Sequence, residues 1–351
     1  MLTSRVRQPI SGKRTVAVRI FLPSVLFLFL VLATFPEYAQ NPKTNEVPID
    51  QDDVIKVSTT LVTVPVSVMD RNGRFITDLD KQQFHIFEDG VEQEIAFFEN
   101  ADAPFTVALL LDVSDSTKQR LGQIKDAALA FINELRADDR IMLVTFDKRI
   151  TVLCDPTNDR AAIQSVIGRI QSGGGTSLYD TIDLVASHSL RRVRGRKAIV
   201  MFTDGVDTTS RLATYEGTLR AAEELDALIY TIRYNTYDDL TKTQTTSFIP
   251  GQQPPQLVTS KGEPLDVAYK RAANYLQLLS DKSAGRFFYA ASLSQLTGIF
   301  GRIAQELRER YSLGYYPSNK SEAKKRREVR VRLAIPNVAI HCRHTYIYTL
   351  R

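Results

Sequence analysis

From Phe105 onward the sequence alternates short apolar runs with stretches of helical periodicity, and few folds accommodate that alternation. Val107-Ala108-Leu109-Leu110-Leu111 is apolar at every position. That suits a strand covered on both faces, because a strand with one wet face alternates polar and apolar residues. Ile124, Ala128, Phe131 and Leu135 then recur at helical spacing, and further strand runs lie at 141–146, 198–202, 228–232 and 286–289. Helical patterns fall near 160–170, 178–190, 213–226, 268–284 and 294–311. The expected fold class is therefore α/β, a doubly wound, mostly parallel sheet with helices on both faces.

The flanks read differently. Residues 54–103 form an N-terminal β module in which Val57, Thr59, Leu61 and Thr63 alternate with Val62, Val64, Val66 and Val68. Asp70-Arg71-Asn72-Gly73 is a turn signal, and Glu88-Asp89-Gly90 is a hairpin signal between the runs 84–87 and 94–98. The α/β domain is expected over 104–312, with β character returning over 313–351. Lys320 to Arg327 reads as a solvated hairpin loop between strands. Neither β segment alone can bury two faces, so the two are expected to pair into a small sandwich. Within the α/β domain, residues 235–265 are rich in Thr, Gln, Gly and Pro and read as an exposed excursion.

The chain of 351 residues carries 45 Lys and Arg against 40 Asp and Glu, but the excess is local. Residues 1–39 hold Arg5, Arg7, Lys13, Arg14 and Arg19 against Glu37, which leaves forty cations and thirty-nine carboxylates beyond them. A nearly neutral remainder lacks the phosphate-neutralising surface that nucleic-acid binding requires. The basic stretch precedes an apolar run from Ile20 to Ala33 closed by Pro36 and Glu37, the layout of a secretory signal peptide. The run is short for a spanning helix. The chain is thus expected to be exported to the periplasm, the cell surface or the medium. Retention of 20–35 as an inner-membrane anchor is the other outcome, and 40–53 reads as a linker. Export puts Cys154 and Cys342 in an oxidising compartment, where they either join or stay as buried thiols.

Three segments carry chemistry. The first buried strand ends in Asp112-Val113-Ser114-Asp115-Ser116, an Asp-x-Ser-x-Ser pattern at a strand exit, where ligands bind in open α/β sheets. Gly173-Gly174-Gly175-Thr176 sets a Thr after a glycine loop, and Thr203-Asp204-Gly205 ends another apolar strand. In this order they resemble the metal-ion-dependent adhesion site of von Willebrand factor A-type (VWA) domains, which have a Rossmann-like fold. The resemblance places that site at Asp112, Ser114, Ser116, Thr176 and Asp204. It implies Mg²⁺, with Mn²⁺ or Ca²⁺ as alternatives, and hydroxyl and carboxylate oxygens suit such hard cations. It further implies that Ser114, Ser116 and Thr176 coordinate more directly, with Asp112 and Asp204 holding waters and hydroxyls behind them. A Glu or Asp of a protein partner would complete the site. Phe87-Glu88-Asp89-Gly90 and Tyr311-Ser312-Leu313-Gly314-Tyr315-Tyr316-Pro317 add a resemblance, over roughly 54–350, to the bacterial VWFA-related family of the Acidobacteria type.

An enzyme is not expected. His85, His188, His341 and His344 are the four histidines, and no Gly-x-Ser-x-Gly, His-Glu-x-x-His or phosphate-loop motif occurs. The competing expectation is a structural envelope or assembly scaffold that works through the β sandwich or 235–265 without metal.

Overall fold

Four strands precede the apolar run: β1 (Val62–Met69), β2 (Phe84–Glu88), β3 (Val91–Gln93) and β4 (Ile95–Glu99). The run itself is β5 (Phe105–Asp112), buried along its whole length. The structure, a computed structural model, describes residues 61–234, 236–237, 257–321 and 325–348. The expected leader and linker, the start of the N-terminal β module and most of 235–265 lie outside the described residues. Among the described residues no helix is long and apolar enough to cross a membrane.

β5 lies inside a six-stranded sheet with β6 (Arg140–Phe146), β7 (Ile150–Thr157), β8 (Arg196–Thr203), β9 (Leu228–Tyr234) and β10 (Phe287–Ala290). Their order is β10-β9-β8-β5-β6-β7, parallel except for β7. The helices are α1 (Leu121–Glu134), α2 (Arg160–Gly168), α3 (Leu178–Asp183), α4 (Tyr215–Glu224), α5 (Leu265–Lys282) and α6 (Leu296–Arg308). Strand parity divides them into two layers. Val107, Leu109 and Leu111 meet Phe131 of α1, Ile163 of α2 and Phe300 of α6, while Ala108 and Leu110 share the opposite core with Ile182, Ala222 and Leu276 of α3, α4 and α5.

β7 is a strand that the sequence pattern did not announce. It turns back from β6 through Asp147-Lys148-Arg149 and pairs antiparallel at the edge with two register shifts. Its Thr151, Val152 and Asp155 are exposed, so no apolar run marks it. Cys154 on β7 packs against one α/β core, Cys342 lies in the core of the β sandwich, and both are free thiols.

The sandwich is completed by β11 (Arg310–Tyr315), β12 (Arg326–Leu333), β13 (Ala339–Cys342) and β14 (Thr345–Ile347). Two antiparallel sheets, β13-β1-β11-β4 and β14-β12-β2-β3, close over one core. β1 sends Val62, Val64, Val66 and Val68 into it, opposite Ile86, Val329 and Val331 of the second sheet. The Asp89-Gly90 turn joins β2 to the short β3 only; the 94–98 run is not the hairpin partner, since β4 crosses to pair with β11.

The basic stretch after Asn319 corrects the reading of a solvated loop that extends to Arg327. Arg327 lies in β12 with no exposed surface and donates to Glu88 Oε1 at 2.6 Å and to the carbonyls of Asn319 and Ser321 at 2.6 and 2.8 Å. Tyr315 and Tyr346 donate to the other Glu88 oxygen at 2.7 and 2.6 Å. A buried ion pair survives desolvation when most of its remaining bonding capacity is met in this way, and here only Arg327 Nε lacks a hydrogen-bond partner.

Buried arginines fasten the sandwich to the α/β domain by meeting carbonyls that helices leave open at their C-terminal ends. Arg343 donates to Leu225 O at 2.7 Å just past α4. Within the α/β domain, the half-buried Arg196 of β8 donates to Leu307 O in α6 and to Ala101 O and Ala103 O in the segment between β4 and β5. Arg310, the first residue of β11, pairs with Glu306 of α6 and donates to Ala284 O at 3.0 Å.

Replacing Arg327 with Met strands a buried carboxylate and should lower the unfolding free energy by about 3–5 kcal/mol in urea titrations. The Glu88→Gln/Arg327→Met double variant, which removes both charges and keeps an acceptor for the tyrosines, should lose less than Arg327→Met alone.

Candidate metal centre

β5 and β8 run parallel with Leu111 opposite Phe202, so Asp112 and the pair Thr203-Asp204 leave the sheet side by side. This is also where the strand order reverses, with β6 on one flank of β5 and β8 on the other, the position at which an open sheet forms a crevice. Each strand end closes with the same local device. Asp112 Oδ1 accepts the Ser114 amide at 3.0 Å, and Asp204 Oδ1 accepts the Val206 amide at 3.0 Å. Such turns are what Asp favours over helix or strand.

The remaining carboxylate oxygens tie the two ends together. Thr203 Oγ1 donates to Asp112 Oδ2 at 2.7 Å, while Ser116 Oγ donates to Asp204 Oδ2 at 3.0 Å and lies 3.0 Å from Ser114 Oγ. Thr236 and Tyr269 also donate to Asp204 Oδ2, at 2.7 and 3.3 Å. Asp112, Ser114, Ser116 and Asp204 therefore form one bonded cluster. Thr176 joins through backbone: its carbonyl accepts the amides of Thr208 and Thr209 at 2.9 and 3.0 Å, in the loop that follows Asp204. The glycine loop before it leans on the same place, with the Gly173 amide on Val113 O at 2.9 Å. A Cβ on Gly173 would fall 1.6 Å from Asp147 Oδ2, so a larger residue there would have to displace the Asp147 side chain.

Asp112 has no exposed surface, and burial, followed by the charge of Asp204, pushes its pKa up to about 7 against the bonds from Ser114 and Thr203. Burial and then the Asp204 charge also push the Tyr269 phenol far above its usual value, so it stays a donor. Two carboxylates held this close in a desolvated site favour a counter-charge between them. Among the described residues no group of three or more His, Cys, Asp and Glu side chains gathers as a metal site. The donor set here is instead two carboxylates with serine and threonine hydroxyls, which fits a hard divalent cation and not a thiophilic one.

Three contributors escaped the sequence reading. Thr203 stood in the quoted motif, but nothing showed that its hydroxyl would cross to Asp112. Thr236 belongs to the stretch read as an exposed excursion and is fully buried. Tyr269 sits on α5 among other core aromatics, and no local pattern sets it apart.

Residues 107–206 match the family model described as von Willebrand factor type A domain. Over those residues the chain belongs to the von Willebrand factor type A domains. The match runs from β5 to just past Asp204 and includes all five candidate residues. The protein sll0103 of Synechocystis sp. is 33% identical over 106 residues, 29% of this chain and 25% of that protein. The UPF0353 protein of Mycobacterium sp. (strain KMS) is 24% identical over 219 residues, 57% of this chain and 60% of that protein. The chain thus spans between a quarter and three fifths of the length of these relatives. Among solved structures, the von Willebrand factor type A protein of Catenulispora acidiphila aligns with 76% of this chain and 73% of its own, at 11% identity and a TM-score of 0.46.

Gly205 shapes the VWA site from behind: its φ is +84°, and a Cβ there would lie 2.8 Å from Leu276 Cδ1 on α5. Gly205→Ala should cost about 1–2 kcal/mol from backbone conformation alone, more with the contact, as a lowered urea midpoint.

Proposed function

We propose that this chain is an exported, metal-dependent protein-binding module of the adhesion type, whose VWA domain recognises a carboxylate on a protein partner. The observation that carries the reading is the bonded cluster of Asp112, Ser114, Ser116 and Asp204 at the ends of β5 and β8, with Thr176 tied to the adjoining loop. These residues would hold Mg²⁺, with Mn²⁺ or Ca²⁺ as alternatives. A bound cation supplies a coordination position that a Glu or Asp side chain can fill. The chain's own groups do the remaining work. Asp112 and Asp204 balance the divalent charge, so that a third carboxylate is not repelled, and their turns hold the serine hydroxyls in place.

Binding is preferred over catalysis because the groups hydrogen-bonded to Asp112 and Asp204 are hydroxyls and backbone amides, with no imidazole or thiol among them in the described residues. The basic and apolar segments of residues 1–39 support export. The near-neutral remainder favours a protein partner over nucleic acid.

The test is capture of envelope proteins on immobilised protein in Mg²⁺, in chelator, and on an Asp112→Ala variant shown by circular dichroism to be folded. A partner retained by the wild type in Mg²⁺ and lost in the other two arms is expected. Retention in all three would transfer recognition to the β sandwich or to 235–265 and overturn the metal bridge.

A further inference from the structure

The surface around the metal centre carries its own selectivity, and reading it rests on the metal-dependent function proposed above. Leu212 is 90% exposed, the most exposed large apolar side chain among the described residues. The backbone beneath it is held firmly. Asp180 of α3 accepts the amides of Arg211, Leu212 and Ala213 at 2.9, 2.9 and 2.7 Å, and its own amide donates to Ser210 Oγ at 3.1 Å. Burial acts against the Asp180 charge, and these amides outweigh it, leaving the carboxyl below its usual range. The same loop carries Thr208 and Thr209, whose amides bind the Thr176 carbonyl. Leu212 follows Thr209 by three residues, so its Cα lies within about 11 Å of a residue bonded to the candidate metal-binding loop. A leucine whose backbone is already held leaves only its own side-chain rotamers to be ordered when a partner covers it.

The charge around it is one-sided. On the loops that leave β5, β6 and β8, the exposed charged residues are Lys118, Lys148, Arg149 and Arg211 against Asp115 alone. Lys148 is fixed beside the glycine loop, its amide on Gly174 O at 2.9 Å. Asp112, Asp147, Asp204 and Asp207 lie buried beneath this exposed rim. Such a rim raises the encounter rate with an acidic partner.

We propose that the partner segment is an acidic linear peptide of another protein. Its metal-meeting Glu or Asp is accompanied within a few residues by an apolar side chain that seats on Leu212, and its further carboxylates lie over Lys148, Arg149 and Arg211. A fully covered leucine accounts for about tenfold or more in affinity, and the cationic rim adds a salt-dependent factor of similar size.

The test uses the full chain in Mg²⁺ and fluorescent synthetic peptides on a Gly/Ser background: one with a central Glu, flanking Asp and a Leu, and versions with Leu→Ala, Glu→Gln or Asp→Asn. Anisotropy should rank the complete peptide first. Leu212→Ser should weaken it by about tenfold while leaving the Ala version unchanged. Lys148→Glu/Arg149→Glu should weaken it at low salt and far less at high salt. Equal binding of the Leu and Ala peptides, no effect of either variant, no binding of any peptide, or equal binding of an oligothymidylate would overturn the assignment. Chelator and calorimetric titration with Mn²⁺ test the centre separately. Peptide selectivity that persists without metal would sink the metal reading and keep this surface, whereas Mn²⁺ binding without peptide selectivity would do the reverse.

Discussion

Two carboxylates on neighbouring parallel strands would repel each other, and the architecture of the VWA domain at its C-terminal end is the means by which they are kept together. Thr203 stands beside Asp204 on β8 yet spends its hydroxyl on Asp112 of β5, while Ser116 from the β5 side spends its own on Asp204. These exchanged bonds favour the charged form of each acid at the neighbour's strand, which offsets part of the cost of burying them. The rest is the demand that the proposed cation would answer, and it ties the apolar sheet below to the polar site above.

The demand is sustained by a rigid base. The sandwich is joined to the α/β domain through Arg343 and Arg310, which meet carbonyls just past α4 and α5, and α6 passes into β11 with only Glu309 between them. Arg326 of β12 adds an ion pair with Glu223 of α4, and Lys282 of α5 meets the same carboxylate at 2.5 Å. The buried arginines are costly to lose, since each would leave a carbonyl or a carboxylate without its partner, whereas the half-exposed Arg326 and Lys282 share Glu223 and each covers for the other. The two layers of helices and the two sheets of the sandwich are therefore mounted on each other through polar contacts, while each keeps its own apolar core.

What could be read from the sequence follows from how local each signal is. The parallel sheet was legible because β5, β6, β8 and β9 are apolar on both faces, a pattern that needs no knowledge of neighbours. Asp112, Ser114, Ser116 and Asp204 were legible through resemblance, because each of the motifs that carry it is contiguous at a strand end and keeps its order along the chain. β7 was not, because an edge strand buries one side only and its Thr151, Val152 and Asp155 face water. Arg327 was not, because a basic run reads as solvated whatever its tertiary partners, and Glu88 lies 239 residues away. Leu212 gave no signal for the opposite reason: nothing in the local sequence shows that a lone leucine among Ser, Arg and Thr stays outside.

The same distinction bears on when the site forms. The two Asp turns span two residues each and can exist in a short peptide. Asp204 Oδ2, by contrast, is completed by Ser116, Thr236 and Tyr269, at sequence separations of 88, 32 and 65. Contacts that close such long loops come only after the loop entropy has been met by other interactions. The sheet must therefore pair β5 with β8, and α5 must dock, before Asp204 gains its donors. Until then its charge stays hydrated and Asp112 has no buried neighbour to repel it. Any affinity for the proposed cation would thus arise with the final packing of the domain, and an ion bound there would stabilise that packed state over any earlier one.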